Sequence, residues 1–262
     1  MTQPVIALTT DFGVGSPYVA AMKGVILSIN PQAVIVDLTH AIEPQNIRQG
    51  AIVLADTCRW FPPGTIHVAV VDPGVGSSRP IVWARIGEQN FIAPDNGLLS
   101  RLALASPPLT IRTLSDPRFW LPGVSATFHG RDIMAPVAAH LSLGLDAAEL
   151  GPAVQELVTL CWREVHVTAG RIEGRVESID SFGNLITDIT SDALERAPRG
   201  EETAITCDEH ETRGIFRAYS DQPDMTLIAL VGSNGRLELA IVGESAAAML
   251  GIRVGTPVTV AW

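Results

Sequence analysis

An aliphatic run, Val68-Ala69-Val70-Val71, delivers Asp72 into the loop Pro73-Gly74-Val75-Gly76-Ser77-Ser78, and Arg79 returns a guanidinium directly afterwards. Pro73 ends the strand pattern by removing a ladder donor, and the two glycines let the backbone turn tightly or approach a ligand, so Asp72 and Arg79 can face one pocket. The alternative is an exposed ion pair across a turn, worth about 0–1 kcal/mol. His129 lies between Phe128 and Gly130, with Arg131-Asp132 following. An imidazole titrates near neutrality and can orient or deprotonate a water, so Asp72, Arg79 and His129 form an acid/base cluster if the fold gathers them. Taken alone, His129 reads first as a helix cap or a satisfied core histidine.

Asp11, Asp72, Asp95 and His129 are also oxygen and nitrogen donors at predicted strand ends, a set that suits a metal. The close spacings of metallohydrolases are missing, with no HExxH, HxH or paired-aspartate motif, and Arg79 opposes a cation beside Asp72. No metal ligand is therefore predicted. The Gly74 to Arg79 loop lacks the Gly-Lys-Ser/Thr ending of a phosphate loop, and neither GxSxG nor a Cys/His nucleophile arrangement is present. Ile179-Asp180-Ser181-Phe182-Gly183-Asn184 combines a carboxylate, an aromatic face and a carboxamide, a set suited to an adenosine-like ligand carrying an amine. From spacing alone, a β-turn with Phe182 in the core is the preferred reading. Gly232-Ser233-Asn234-Gly235 likewise reads first as a hairpin turn whose hydroxyl and amide can also bind a carboxylate.

These residues sit on a legible scaffold. Val5 to Asp11, Val34 to His40, His67 to Asp72 and Asn90 to Asn96 are short aliphatic runs that end in acids, as buried parallel strands do. Helical patterns over Tyr18 to Ile29 and Ile47 to Trp60, each closed by proline, give the order β-α-β-α-β. Open α/β sheets bind ligands at the carboxyl ends of their strands, where Asp11, Asp72 and Asp95 then gather. Asp37 and His40 either join them or form a capping turn. A proline-rich interval from Pro107 to Gly123 leads through the His129 loop into an amphipathic helix over Ile133 to Leu143. Beyond about residue 160 short alternating segments predict an antiparallel sandwich or barrel. The predicted organisation is an α/β N-terminal domain, residues 1–160, with a mainly parallel sheet flanked by helices, and a smaller antiparallel C-terminal domain, residues 165–262.

The chain has 262 residues, 47% hydrophobic and 18% charged, enough for a large core and too apolar for disorder. A net charge of −10 argues against nucleic acid and anionic membranes as partners, because their phosphates demand lysine and arginine. Cys58, Cys161 and Cys207 are too scattered for a disulfide framework or zinc knuckle, and buried reduced thiols are expected. Without a signal-peptide pattern or a membrane-spanning apolar run, the expected location is the cytoplasm.

Six blocks in order now carry a likeness: Thr9-Thr10-Asp11-Phe12-Gly13, Asp72 to Arg79, Pro94-Asp95-Asn96-Gly97-Leu98-Leu99, Phe128 to Asp132, Ser181 to Asn184 and Gly232 to Gly235. Over nearly its whole length the chain resembles the adenosyl-forming S-adenosylmethionine hydrolases, or S-adenosylmethionine hydroxide adenosyltransferases, relatives of the fluorinating and chlorinating enzymes. The resemblance implies an α/β N-terminal domain, a C-terminal β-barrel, and a homotrimer with its ligand between the N-domain of one subunit and the C-domain of the next. It implies Asp72, Arg79 and His129 as the water-activating trio and Asp11 at the ribose hydroxyls. Phe182 and Asn184 then hold adenine, and Asp180, Ser233 and Asn234 hold the methionine amino acid group. The halogenating relatives carry tyrosine in place of Asp72 and serine in place of Gly130, and a tryptophan in the region of Gln45, so water is the implied nucleophile. S-adenosylmethionine is then the substrate and no cofactor is implied.

Overall fold

The computed structural model describes residues 4–262, whose internal contacts gather into two compact units, one ending at Cys161 and the other running Trp162–Trp262. In the first unit β1 (Val5–Thr10), α1 (Pro17–Ile29), β2 (Val34–Thr39), α2 (Ile47–Cys58) and β3 (Ile66–Val70) alternate. Ser16 caps α1 by accepting from the Tyr18 N–H, and Pro17 occupies the first turn, where a missing N–H breaks no helical bond. Asn46 caps α2 through the Gln49 N–H. There follow β4 (Ile81–Ile86), β5 (Gln89–Pro94), α3 (Ser100–Ala105) and β6 (Thr110–Thr113), then a π-helical turn over Gly130–Met134 that runs into α4 (Ala135–Ser142), and β7 (Ala153–Val154).

The strand order is β2-β1-β3-β5-β4-β6-β7. The pairs β1–β2, β1–β3 and β3–β5 are parallel, whereas β4–β5, β4–β6 and β6–β7 are antiparallel, so the sheet is mixed rather than mainly parallel. The difference originates in β4, which reaches β5 through a two-residue Gly87-Glu88 turn with Gly87 at a φ of +57°. Alternate residues of the central strands enter different cores, as the period of two requires. Ile6, Leu8, Val68, Val70 and Ile92 pack with Met22 and Ile26 of α1 and Val137 of α4. Ala69, Val71, Phe91 and Ala93 pack on the other face with Leu54 of α2 and Leu102 of α3. Strands covered on both faces explain the continuous apolar runs, and the parallel trio β1, β3 and β5 sends Asp11, Asp72 and Asp95 to one sheet edge.

The second unit contains β8 (His166–Thr168), β9 (Arg171–Ile179), β10 (Leu185–Thr190), β11 (Ala204–Cys207), β12 (His210–Arg213), β13 (Ile215–Phe216), β14 (Leu227–Val231), β15 (Arg236–Ile241), α5 (Ala246–Leu250) and β16 (Pro257–Ala261). Their sheet runs β12-β11-β16-β9-β10-β15-β14-β13, with β8 on β9. It is nearly barrel-like: the Thr212 hydroxyl on β12 donates to the Leu227 carbonyl on β14, two strands far apart along the pairing path. Ile172, Val176, Leu185, Leu239 and Val260 fill its interior. Cys58 and Cys207 are buried, whereas Cys161, expected inside, is exposed. Among the described residues no helix is long and apolar enough to cross a membrane.

Candidate active site

Asp72 follows β3 at the sheet edge, and its side chain is only 4% exposed. The loop beyond it closes on itself: the Ser77 hydroxyl donates to the Gly74 carbonyl at 2.7 Å and accepts the Arg79 N–H at 3.3 Å. That turn points the guanidinium back. Arg79 Nε donates to Asp72 Oδ1 at 2.6 Å and its Nη2 donates to Asp72 Oδ2, a two-point pairing of a planar cation with a planar anion. Arg79 is itself nine-tenths buried, which excludes the exposed-bridge alternative. Gly76, at a φ of +81°, holds the loop against the segment that carries the histidine, and a Cβ there would lie 2.3 Å from the Ala126 carbonyl oxygen.

His129 arrives from that segment at the head of the π-helical turn. Asp132 anchors the turn by accepting the Ser125 N–H at 2.8 Å through Oδ2 and Arg131 Nε at 2.5 Å through Oδ1. Arg79 Nη2 then stands 3.1 Å from His129 Nδ1. A guanidinium has donors only, so Nδ1 accepts and the ring proton of the neutral imidazole sits on Nε2. Burial first, then the Arg79 charge, hold the His129 pKa below its ordinary 6.5, against the opposite pull of Asp72 and Asp132. The three predicted groups, from β3, its loop and the π-helical turn, thus meet.

Asp72 and His129 border a pocket of about 210 Å3 lined also by Asp11, Phe12, Gln45 and Phe128, and Arg79 lies behind them. Asp11 Oδ2 accepts the Gln45 N–H at 2.8 Å, with Gln45 at a φ of +65°. Phe12 and Phe128 form an edge-to-face wall, centroids 5.7 Å apart, that sequence reasoning quoted only as neighbours of polar residues. Asp95 serves the backbone instead, accepting the Val158 N–H at 2.8 Å. Asp37 and His40 meet each other across their turn, His40 Nε2 standing 3.0 Å from Asp37 Oδ1, while His40 Nδ1 pairs with the Thr10 hydroxyl at 2.9 Å and Asp37 Oδ2 accepts from Lys23 Nζ at 2.6 Å. Among the described residues no group of three or more His, Cys, Asp or Glu is arranged to hold a metal ion.

The remaining predicted residues lie in the second unit. Asp180 Oδ1 accepts the N–H groups of Phe182 at 2.9 Å and Asn184 at 2.8 Å, and Oδ2 accepts Asn184 Nδ2 at 3.0 Å, so this carboxylate shapes the turn itself. Phe182 is 76% exposed, which overturns its placement in the core. Gly183, at a φ of +85°, meets the capping residue of α5: a Cβ would lie 2.0 Å from Ser245 Oγ, and the Gly183 carbonyl accepts the Ala247 N–H. In the hairpin turn, Asn234 Oδ1 accepts the Arg236 N–H at 3.1 Å and Ser233 is exposed. Two residues here were missed. Tyr219 donates its hydroxyl to Glu238 Oε1 and lies 3.5 Å from Asn184 Nδ2. Glu238 is 5% exposed on a strand whose other residues are buried, and burial, reinforced by Asp180, raises its pKa against the lowering effect of the Tyr219 bond. A carboxylate inside the run Arg236-Leu237-Glu238-Leu239-Ala240-Ile241 was the available signal.

Family models described as the SAM hydroxide adenosyltransferase N-terminal domain and C-terminal domain match residues 6–151 and 174–259. The chain is 40% identical to the (R)-S-adenosyl-L-methionine hydrolase of Thermus thermophilus, with 98% of each chain covered. It is 28% identical to the fluorinase of Nocardia brasiliensis over 98% of this chain and 97% of that protein. A crystal structure titled as an uncharacterized conserved protein from Thermotoga maritima superposes with a TM-score of 0.94 at 34% identity, covering 98% of this chain and all of the other.

Gly76→Ala should destabilise the protein by about 1–3 kcal/mol, because the alanine must hold a left-handed conformation against a fixed carbonyl. At Gly74, where an added Cβ would meet nothing nearer than 3.5 Å, Gly74→Ala should stay within about 0.5 kcal/mol of wild type. Urea unfolding of the two variants checks the contrast.

Proposed function

The chain belongs to the SAM hydroxide adenosyltransferase family, and from that premise we propose that it hydrolyses S-adenosyl-L-methionine to adenosine and L-methionine. The observation that carries this reading is the Asp72–Arg79–His129 contact set, whose Asp72 and His129 line a pocket that Asp11 also lines. In this reading a water or hydroxide attacks the 5′-carbon in line with the sulfonium. Methionine leaves as a neutral thioether, so the reaction asks for neither a leaving-group acid nor a metal or cofactor. The difficulty is presenting a poorly solvated oxygen at the right angle. Arg79 supplies positive charge for hydroxide character and is held in place by Asp72. His129 aligns the oxygen through its ring. Proton acceptance by Asp72 leaves the Arg79 bonds in place, whereas acceptance by His129 Nδ1 requires the ring to leave Arg79 first.

Gly130 supports water over halide as nucleophile. A serine there, as in the halogenating relatives, would place its Cβ 3.3–3.4 Å from Val70 and Met22, a crowded position that those side chains must yield to admit. Asp11 binds the ribose hydroxyls, Phe182 and Asn184 the adenine, and Asp180, Ser233 and Asn234 the amino acid group. The N-terminal α/β domain thus supplies the water-activating groups and the C-terminal barrel the recognition groups. A homotrimer pairing the N-domain of one subunit with the C-domain of the next brings these sets onto one ligand, and the exposed Phe182 supports a binding surface there. A small-molecule substrate and a cytoplasmic location fit this reading.

Incubation with S-adenosylmethionine in chelator and heavy-oxygen water should yield adenosine labelled at the 5′-oxygen; unlabelled adenosine or none defeats the proposal. If His129 is the base, His129→Ala should lower kcat by roughly 10²–10⁴-fold. Because the imidazole must be neutral to accept from Arg79, kcat/KM should fall as pH drops through the His129 pKa, with a midpoint below 6.5. Full activity of the alanine variant, or a midpoint above that value, contradicts the assigned role. Light scattering should give the mass of three chains, and an active monomer rules the trimer out.

A further inference from the structure

The hydrolysis reading uses Asp11 and leaves open what holds it in place. Asp11 directly follows β1, and beyond it Gly13 and Gly15 adopt φ values of +91° and +80° with Val14 between them 86% exposed. An added Cβ at either glycine would meet nothing within 4 Å, so no close packing fixes that side of the loop. The Gln45 N–H engages Asp11 Oδ2 at 2.8 Å, and among the described residues Oδ1 has no hydrogen-bond partner. The direction in which Oδ1 points is therefore set by the backbone around Asp11.

That backbone is fastened to His40, which directly follows β2 and is 9% exposed. The His40 carbonyl accepts the Gly13 N–H at 2.9 Å, and its Nδ1 stands 2.9 Å from the Thr10 hydroxyl, which itself accepts the Phe12 N–H at 3.2 Å. The residues before and after Asp11 thus trace to one histidine. Thr10 is wholly buried, so its hydroxyl has no water to replace a lost partner. Behind the ring, His40 Nε2 stands 3.0 Å from Asp37 Oδ1, and Asp37 Oδ2 accepts from Lys23 Nζ at 2.6 Å. The Lys23–Asp37 pair is partly exposed and adds little stability by itself, but a carboxylate at one ring nitrogen settles what the other presents.

We propose that His40 is a positioning residue for ribose recognition: by holding Thr10 and Gly13 it fixes the Asp11 carboxylate, and the preference for a ribose over a deoxyribose depends on it. His40 does not line the pocket and acts only through this loop. An acceptor that reads sugar hydroxyls has to be held within about 0.5 Å of its productive place by groups that are themselves locked. The buried Thr10 hydroxyl, clasped between the imidazole and the Phe12 N–H, is such a group.

This rests on the ribose role given to Asp11 in the hydrolysis reading, and calorimetry tests it without turnover. Thr10→Val keeps the shape and removes the hydroxyl, whereas Thr10→Ser keeps the hydroxyl. His40→Asn keeps a polar atom on Cγ, where Nδ1 is attached, and gives up the contact with Asp37. The wild type should bind adenosine roughly tenfold or more tightly than at least one of 2′-deoxyadenosine and 3′-deoxyadenosine. In Thr10→Val that ratio should fall below about threefold through loss of adenosine affinity, and Thr10→Ser and His40→Asn should restore most of it. The pH midpoint of kcat/KM should stay in place, because Asp72, Arg79 and His129 stand on other segments. A Thr10→Val variant that discriminates as the wild type does, that weakens all three nucleosides equally, or that moves the pH midpoint overturns the proposal and leaves Asp11 and hydrolysis standing. A wild type that binds the three nucleosides alike defeats the ribose role of Asp11 and the proposal with it. An inactive wild type that still discriminates defeats hydrolysis alone.

Discussion

The side chain of Arg79 can only donate, and three acceptor atoms from two distant segments must come to it. Asp72 offers two oxygens from the end of β3 and His129 one nitrogen from the π-helical turn. A nearly buried ion pair of this kind returns little net stability, because both ions have left water, but removing one partner strands the other at a cost of about 3–5 kcal/mol. The loop, the strand end and the turn therefore hold one another in a single arrangement. The same contacts dictate the chemistry of the imidazole: facing a cation, it is held neutral with a known tautomer.

The rest of the first unit serves that arrangement. Strands covered on both faces leave their carboxyl ends as the open edge, and the left-handed Gly76 presses the loop onto the Ala126 backbone so that His129 is within reach. The second unit solves a different electrostatic problem. Glu177 and Asp188 pair with Arg236 and Arg175, whereas Asp180 is tied to backbone N–H groups of its own turn and Glu238 to a tyrosine hydroxyl. S-adenosylmethionine brings two positive centres, a sulfonium and an ammonium, and in the proposed reading Asp180 answers the latter.

Local features were legible in the sequence, and distant pairings were not. The Asp72–Arg79 pairing is built within one loop, and its proline, glycines and charges announce it. The aliphatic runs located β1, β3 and β5 because burial on both faces leaves no alternation to misread, and β2 by the same aliphatic pattern although it is a partly exposed edge strand. β4 escaped because Ile81 to Ile86 follows Pro80 directly, and its partner is reached through a turn of only two residues. Phe182 was assigned to the core on hydrophobicity alone, which says nothing about which way a turn faces. Glu238 went unread for a related reason, although its place in an apolar run was a signal: a carboxylate in a strand gains meaning only once both faces of that strand are known to be covered.

At Gly183 the chain has no room for even a methyl group, because Ser245 Oγ occupies that place while its residue caps α5. Two stretches sixty-two positions apart are consequently one mechanical part. Sequence drift in the short helix cannot proceed without regard to the aromatic turn. A larger cap, or a shift of α5 by a fraction of its pitch, is transmitted straight to the turn that carries the Phe182 ring, so tolerance to change on that helix is set by a turn it does not belong to.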